Sequence, residues 1–243
     1  MGHYKEAKSL YEQAIALYSK KPHKLGLANT LLALARLEIG AGNMEKAHSL
    51  HNQSIDLFRQ IENGQGLANA ICSMGDLERR LNNWKVAHKL YSEARVLYQE
   101  EIDSTGLARV LCSLGDLELK LGNEKNARQL LNQSIELYTN EQHDQGLARA
   151  LHSLGNLEQD FGNLSEALIY YEEAIKLYLK LQSLHGLAYI ETERTFCYYQ
   201  LEQFDKMVEV AENASNAAET SKDKELIQYV KDRFSEIGLS KRE

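Results

Sequence analysis

Four glutamates recur at 40-residue intervals: Glu38, Glu78, Glu118 and Glu158. Paired carboxylates can carry out acid–base chemistry, and a group of them can hold a metal ion. Because this row recurs with a longer repeated segment, a structural role explains it better. We predict that each glutamate accepts a hydrogen bond at a helix end or forms an ion pair with the neighbouring repeat.

The histidines and cysteines lack the spacing of a catalytic or zinc site. His48 and His51 are three residues apart, but no set of cysteines or carboxylates accompanies them as zinc requires. Cys72, Cys112 and Cys197 form no CxxC pair, and an odd cysteine count is typical of a reduced chain. No glycine-rich phosphate loop, GxSxG motif or Cys–His signature is present. The sequence predicts a cytoplasmic protein that is not an enzyme and uses no cofactor or metal.

The bulk composition excludes two further classes of protein. The net charge of −7 argues against general nucleic-acid binding, which needs a basic face for the phosphates. No uninterrupted apolar run is long enough to span a membrane, and the charged first residues do not resemble a signal peptide. With 43% apolar residues, the chain can bury a sizeable core.

A repeated Gly-Leu-Ala triplet organises the chain into helix pairs. It occurs at 26–28, 66–68, 106–108, 146–148 and 186–188. Apolar residues recur at intervals of three and four, and Pro22 is the single proline, so the sequence predicts helices throughout. In each copy, helix A begins near the triplet, and helix B follows a Gly-Asn pair or its equivalent. We expect Asn43, Asn83, Asn123 and Asn163 to cap helix B through their side chains, and Asn163 to form a capping box with Glu166.

Small residues at fixed places identify the kind of repeat. Helix A carries Ala35, Gly75, Gly115 and Gly155; helix B carries Ala47, Ala87, Ala127 and Ala167, and then Ser54, Ala94, Ser134 and Ala174. Between the two small residues of helix B stand His51, Tyr91, Leu131 and Tyr171. Small residues let two helices cross closely while a bulky one fills the next gap.

This pattern resembles the tetratricopeptide (TPR) motif. The resemblance implies an all-α, right-handed superhelical solenoid of antiparallel helix pairs. The 40-residue unit is similar to the repeats of Pins-like spindle-orientation adaptors and of the sensor arms of signalling ATPases. Two features depart from the motif, because the glutamate row replaces the usual helix A tyrosine and the usual proline after helix B is missing.

We predict one solenoid over residues 1–243, with a half repeat, five full repeats and a cap. The half repeat is helix B alone at 2–20, and the full repeats are 24–63, 64–103, 104–143, 144–183 and 184–221. A helix at 222–238, apolar on one side and charged on the other, caps the array. The missing first helix A suggests a fragment of a longer array, or a hairpin that another molecule completes.

The resemblance also implies which side chains line the concave groove. They are Asn29, Arg36, Asn69, Asp76, Arg79, Arg109, Asp116, Lys120, Arg149, His152, Asn156, Tyr189 and Tyr199. Asparagine can bond an extended peptide backbone, and arginine can bind a carboxylate with both arms. We expect a ligand with acidic residues near Arg109 and Arg149. The alternative is that Arg109 pairs with Asp76 or Asp116, and Arg149 with Asp116.

The fifth copy is richer in rings than the others, with Tyr189, Phe196 and Tyr199 among them. These rings could hold a hydrophobic anchor of a ligand, or they could pack on the capping helix.

These observations predict a non-catalytic scaffold or signalling adaptor that binds a protein or peptide, with acidic residues in that partner a further expectation. No nucleic acid or membrane partner is expected. One alternative is the sensor or regulatory arm of a larger signalling ATPase or transcription regulator. Another is a structural array that self-associates through its exposed half repeat.

Overall fold

A computed structural model describes residues 2–21 and 23–239; Met1, Pro22 and residues 240–243 lie outside it. Within those ranges the chain forms twelve α-helices and no strand, which confirms the all-α prediction. The helices are α1 Gly2–Lys20, α2 Lys24–Gly40, α3 Met44–Gln60, α4 Gly64–Arg80, α5 Trp84–Glu100, α6 Ser104–Lys120, α7 Glu124–Asn140, α8 Asp144–Asp160, α9 Leu164–Lys180, α10 Leu184–Gln200, α11 Phe204–Ser221 and α12 Lys224–Ser235. The even-numbered helices α2 to α10 are the A helices, and the odd-numbered helices α1 to α11 are the B helices.

The helices are grouped into two compact units. Unit 1 is Met1–Leu117 and unit 2 is Glu118–Glu243, so the division falls within α6. In unit 1, α1 to α5 contact one another in sequence, and α2 also contacts α4. In unit 2, α7 to α12 do the same, with further contacts of α8 with α10 and of α10 with α12. A helices therefore lie side by side within each unit. The predicted repeat boundaries stay a prediction.

Residues in the left-handed backbone conformation end the helices, and the proline that usually follows helix B is not needed for this. The turns from A to B helices have positive φ at Gly42, Asn82, Gly122, Gly162 and Glu202. In the first of these turns the Asn43 amide donates to the Glu38 carbonyl at 2.9 Å, which satisfies a carbonyl at the helix end. The turns from B to A helices use Glu62, Ile102, Gln142, Gln182 and Lys222 in the same way.

The prediction that the asparagines cap the B helices through their side chains is wrong. Asn43, Asn83, Asn123 and Asn163 stand at the N-cap position but make no side-chain capping bond, so there is no capping box at Asn163 either. Each amide nitrogen instead donates to the glutamate five residues earlier, at 2.6 to 2.8 Å. A carboxylate that is buried away from water needs hydrogen-bond donors, and these asparagines supply them.

The glutamate row has the structural role that the sequence predicts. Glu38 is fully buried and accepts from Asn43 and Tyr4, while Lys8 and Lys46 lie 3.1 and 3.0 Å from it. Burial alone would raise the pKa of Glu38, but these donors outweigh it and lower the pKa to about 2. In the fourth copy, Glu158 is fully buried and is paired with Arg128.

The small-residue pattern produces close helix crossings. A Cβ on Gly75 would lie 2.7 Å from the Tyr91 ring, so only glycine permits this approach. Tyr91, Leu131 and Tyr171 are fully buried, as the repeat pattern predicts. The Gly-Leu-Ala triplets require glycine for a similar reason, because a Cβ on Gly106 would overlap the ring of Tyr98.

The triplet glycines also receive a cap that the sequence analysis missed. The A helices begin two residues before each triplet, and the preceding N-cap side chain accepts from the glycine amide. These caps are His23, Asn63, Asp103, His143 and Ser183.

Helix α12 covers the end of unit 2 with the predicted apolar side. Leu226, Val230 and Phe234 are buried, and Asp223 caps the helix by accepting from the amides of Glu225 and Leu226. The expectation that every charged residue of this helix faces water is wrong for Arg233. Its guanidinium lies over a ring of α10 and near a glutamate of α10.

Candidate functional site

Seven predicted groove residues lie on A helices in unit 1, and six of them are considered together. We call them the unit 1 A-face: Asn29, Arg36, Asn69, Asp76, Arg79 and Arg109. Asn29 is exposed, whereas Asn69, Asp76, Arg79 and Arg109 are half-buried. Three of the six are arginines and one is an aspartate, so the surface is locally cationic in a chain of net charge −7.

Arg109 is held over the neighbouring helix α4. Its Nη2 donates to the Tyr98 hydroxyl at 2.6 Å and to Asn69 Oδ1 at 3.2 Å, and Tyr98 in turn donates to Asn69 Oδ1 at 3.0 Å. Burial raises the pKa of Tyr98 to about 12, although the charge of Arg109 acts in the opposite direction. The three side chains fix one another, so the position of the guanidinium is determined before any ligand arrives.

The Arg36 side chain also bonds helix α4, one turn after Asn69. Its Nε donates to Ser73 Oγ at 3.2 Å, and His51 Nε2 is bonded to the same hydroxyl at 3.0 Å. His51 is fully buried and its Nδ1 has no partner within the described ranges. The Arg36 side chain is exposed, so its terminal nitrogens are open to solvent.

The charge of Arg109 acts on Arg36, while the charge of Asp76 acts on both arginines in the opposite direction. Loss of water around Arg36 and then the charge of Arg109 lower the pKa of Arg36. Asp76 Oδ1 accepts from the Tyr91 hydroxyl at 2.7 Å, and no ion pair within the described ranges joins Asp76 to either arginine, although its charge acts to raise the pKa of both. The expected alternative pairing of Arg109 with Asp76 or Asp116 is therefore wrong, since Arg109 bonds Asn69 and Tyr98 instead. An anion placed between Arg36 and Arg109 would relieve their repulsion.

Arg79 lies beyond Asp76 on the same helix. Its Nε is buried and makes no hydrogen bond to any described residue. A buried donor without a partner is costly, and in native proteins such a donor is commonly satisfied by a water or an ion. Asp116, the seventh predicted residue in unit 1, is half-buried on α6.

The remaining predicted residues lie in unit 2 and differ in environment. Lys120 and Arg149 are exposed, and Asn156 accepts from the Tyr171 hydroxyl at 2.8 Å. The His152 ring meets Tyr171 and Tyr178 edge-on, with centroids 5.9 and 6.4 Å apart.

Two rings of the fifth copy, Tyr189 and Phe196, pack on the capping helix, which was the alternative to holding a ligand. Tyr189 is 4.8 Å from Tyr229 between ring centroids, and Arg233 lies 4.0 Å from the centre of the Phe196 ring. Tyr199 is exposed, at 42% of its surface.

Sequence reasoning missed the residues that hold the arginines in place. Ser73 belongs to an A helix, and His51, Tyr91 and Tyr98 belong to B helices, which the groove prediction left out. A signal was present, since an aromatic residue stands eight positions before every triplet glycine: Tyr18, Phe58, Tyr98, Tyr138 and Tyr178.

A search of the described residues finds no group of three or more histidine, cysteine or acidic side chains placed to hold a metal ion. The same residues include no helix with the length and apolarity needed to cross a membrane. Cys72, Cys112 and Cys197 are buried and form no disulfide.

The family model described as Tetratricopeptide repeat matches residues 1–60, 66–140 and 107–180. No curated protein is significantly similar in sequence. Among solved structures, BtubC (BKLC) from P. vanneervenii is 17% identical with a TM-score of 0.73, and the match covers 90% of this chain and 91% of that one.

Two further structures have longer chains. Aspartyl phosphate phosphatase F from Bacillus subtilis is 15% identical with a TM-score of 0.73; the match covers 90% of this chain and 58% of that one. The Rap conjugation gene regulator of plasmid pLS20, in complex with the Phr* peptide, is 17% identical with a TM-score of 0.73, and the match covers 91% and 66%. At these identities the likeness shows the fold alone, an all-α solenoid of TPR type.

Proposed function

Because the chain belongs to the tetratricopeptide repeat family, we propose that it is a non-catalytic interaction module whose A helices bind a peptide or protein segment. In unit 1 the ligand lies along the A-face, with an acidic residue at Arg36 and Arg109. The exposed amide of Asn29 supplies a donor and an acceptor for an extended peptide backbone.

The observation that carries this proposal is the arginine pair over α4. Arg36 and Arg109 are held near each other by Ser73, Asn69 and Tyr98, and no described carboxylate forms an ion pair with either. Preorganised guanidinium groups lose little entropy when they bind a carboxylate. A solenoid that needed only packing would have no reason to keep two like charges together.

The comparison with a peptide complex points the same way. The pLS20 Rap regulator has this fold and was solved with the Phr* peptide. The proposal includes the predicted unit 2 residues as further contacts, an adaptor or signalling role, and a reducing cytoplasm as the compartment. The thiol state of Cys72, Cys112 and Cys197, none of which forms a disulfide, supports that compartment.

The test is selection of binders from a library of random nonapeptides, followed by affinity measurement of the enriched peptides. We expect enrichment of aspartate and glutamate, with dissociation constants on the order of micromolar. The variant R36E/R109E should weaken binding by at least about a hundredfold. The control K85E/R95E makes the same charge change at two exposed residues of α5 and should bind like the wild type.

Arg109 also has a structural role, so R36Q is measured as a second variant. It should weaken binding by about tenfold while circular dichroism stays unchanged. If no peptide is enriched, or if enriched peptides bind R36Q and R36E/R109E as they bind the wild type, the proposal is wrong.

A second candidate function is self-association through α1. Leu10 and Leu17 are 60% and 66% exposed on this helix, whereas Tyr11 and Ile15 pack on the core of unit 1. Exposed leucines on one helix side favour a helical partner. Sedimentation velocity should then show a concentration-dependent dimer that L10E/L17E abolishes, and a monomer at all concentrations would exclude this candidate.

A further inference from the structure

We propose that unit 2 contains a pocket for a small carboxylate that carries an apolar group. The pocket is a cavity of about 490 Å³. It is lined by Gln145, Arg149, Tyr178, Leu181, Ser183 and Gly186. This volume is within the range of ligand sites, and the lining combines one cation, several hydrogen-bonding groups and apolar surface.

The 40-residue repeat explains why the cavity is open. Two repeats earlier, Asn69 and Tyr98 take the places of Arg149 and Tyr178, and Arg109 takes the place of Tyr189. In unit 1 the Arg109 guanidinium occupies the space beside Asn69 and Tyr98. The equivalent space in unit 2 would have to be filled by Tyr189.

Tyr189 does not fill that space, because the capping helix holds its ring elsewhere. The ring lies 4.8 Å from that of Tyr229, and the Tyr229 hydroxyl donates to Glu193 at 3.0 Å. The contact with α12 therefore removes from the pocket the side chain that the repeat would otherwise place there.

The lining has also changed its charge between the two units. Glu101 and Asp103 of unit 1 correspond to Leu181 and Ser183, and Asn69 corresponds to Arg149. Two carboxylates of unit 2 have partners of their own, since Asp144 lies 2.5 Å from Lys180 and Asp223 lies 2.9 Å from His185. Relative to unit 1, the pocket gains a guanidinium and loses two carboxylates, which selects for an anion.

The other lining groups define the rest of the ligand. Ser183 Oγ accepts from the Gly186 amide at 3.2 Å, so its proton remains available for donation. Tyr178 and Leu181 offer apolar surface, with Leu181 39% exposed. A carboxylate on Arg149 with an apolar group against Tyr178 and Leu181 would satisfy both parts. This ligand is either the last residue of a peptide or a free monocarboxylic acid.

The inference deepens the proposed function at Arg149, but it does not depend on the arginine pair of unit 1. The probes are N-acetyl-leucine and its uncharged amide, titrated into the whole chain by NMR or calorimetry. We expect the acid to bind with a dissociation constant on the order of millimolar and the amide to bind at least about tenfold more weakly. Equal binding of the two, or no binding of either, would overturn the inference.

Two variants locate the site. R149Q removes the cation, and Y189R restores the side chain that fills the equivalent space in unit 1; each should weaken binding of the acid by at least about tenfold. R95Q removes an exposed arginine of α5 and should have no effect. Unchanged binding in both R149Q and Y189R would overturn the proposed pocket.

Two further measurements separate the sources and the two proposals. If tetrapeptides ending in leucine with a free carboxylate bind better than N-acetyl-leucine, the ligand is a peptide end; if they bind no better, it is a free acid. R36E/R109E should bind N-acetyl-leucine like the wild type. If the wild-type chain binds the acid but enriches no peptide, the unit 1 proposal alone is wrong.

Discussion

In unit 1 Arg109 bonds Asn69 and Tyr98, whereas in unit 2 the equivalent Tyr189 stacks on the capping helix and a cavity lies beside Arg149 and Tyr178. The backbone repeat is the same in both places, since the triplet glycine and the ring before it are kept. The difference therefore comes from a few side chains, chiefly the one at residues 109 and 189 and its partner. A repeat scaffold can change a filled space into a pocket without any change in its helices.

The ring position of the B helices shows the same principle. Tyr91 and Tyr171 each donate to an acceptor on the preceding A helix, Asp76 and Asn156. In the first repeat the equivalent A-helix residue is Arg36, which has no acceptor. The ring there is His51, and it bonds Ser73 instead. The repeats therefore differ where polar partners have to match.

The largest effect should come from adding a methyl group to the triplet glycines. In G106A the new Cβ would overlap the Tyr98 ring, which Asn69 and Arg109 hold in place, and we expect a loss of about 3 kcal/mol. In G186A the Tyr178 ring borders the cavity and can move, so the loss should be nearer about 1 kcal/mol. Denaturant unfolding measures both, and equal losses would contradict the idea that the pocket gives the ring freedom.

The next effect should come from removing the side chain that fills the space in unit 1. R109A leaves the bonded network of Asn69 and Tyr98 without its charged donor, and we expect a loss of about 2 kcal/mol. R95A, on an exposed part of α5, should stay within about 0.5 kcal/mol. Similar values for the two variants would show that Arg109 is not part of the packing of unit 1.

A loss of stability of similar size should appear as the pH is lowered, and it should affect unit 1 alone. Burial lowers the pKa of His51 to about 4 from 6.5, with Arg36 and His48 acting in the same direction and Ser73 and Asp76 opposing it. Between these values the unfolded chain binds a proton that the folded chain does not, so stability falls as pH falls from about 6.5 towards 4. At pH 5 the loss should be up to about 2 kcal/mol relative to pH 7.

The control for this pH dependence is H51L, which places at residue 51 the leucine found at Leu131 in the third repeat. Other groups titrate in the same range, so the measured quantity is the difference between wild type and variant. Hydrogen exchange should show the loss at α3 and α4 in the wild type and a smaller loss in H51L. The same pH profile in both proteins would rule out His51 as its source.

The smallest effect should be a gain in stability at one turn. Ile102 has φ of +55° and is 87% exposed, and a β-branched residue in this region is strained. I102N should raise the free energy of unfolding by about 1 kcal/mol, because asparagine tolerates the left-handed region. Q182N changes the equivalent turn of unit 2, where the residue is unbranched, and should gain less. A loss in I102N would mean that the Ile102 side chain contributes more than its strain costs.

Much of the scaffold could be predicted from the residues. The Gly-Leu-Ala spacing and the small residues at Gly75 and Gly155 predicted helix pairs that cross closely, because close approach leaves little choice of residue type. The recurrence of Glu38 and Glu158 predicted a structural role, which their contacts with Asn43 and Arg128 confirm. Helix ends were harder to predict, because an asparagine before a helix can bond either a backbone amide of that helix or a neighbouring carboxylate.

The candidate site was predicted only in outline. Helical spacing placed Arg36, Arg79 and Arg109 on A helices, but it could not show that Arg109 bonds Tyr98 rather than a carboxylate. Partners 37 or 40 residues apart, such as Arg36 with Ser73 or Arg109 with Asn69, depend on side-chain reach across helices.

The sequence by itself determined the repeat, its two helices and the places where only a small residue fits, since these follow from periodicity and steric exclusion along the chain. Only the tertiary structure decided which polar groups satisfy each other and which spaces stay open. Arg109 fills its place and Tyr189 leaves its own, because hydrogen bonds and ring contacts are short-ranged and are settled between side chains that the chain brings together only on folding.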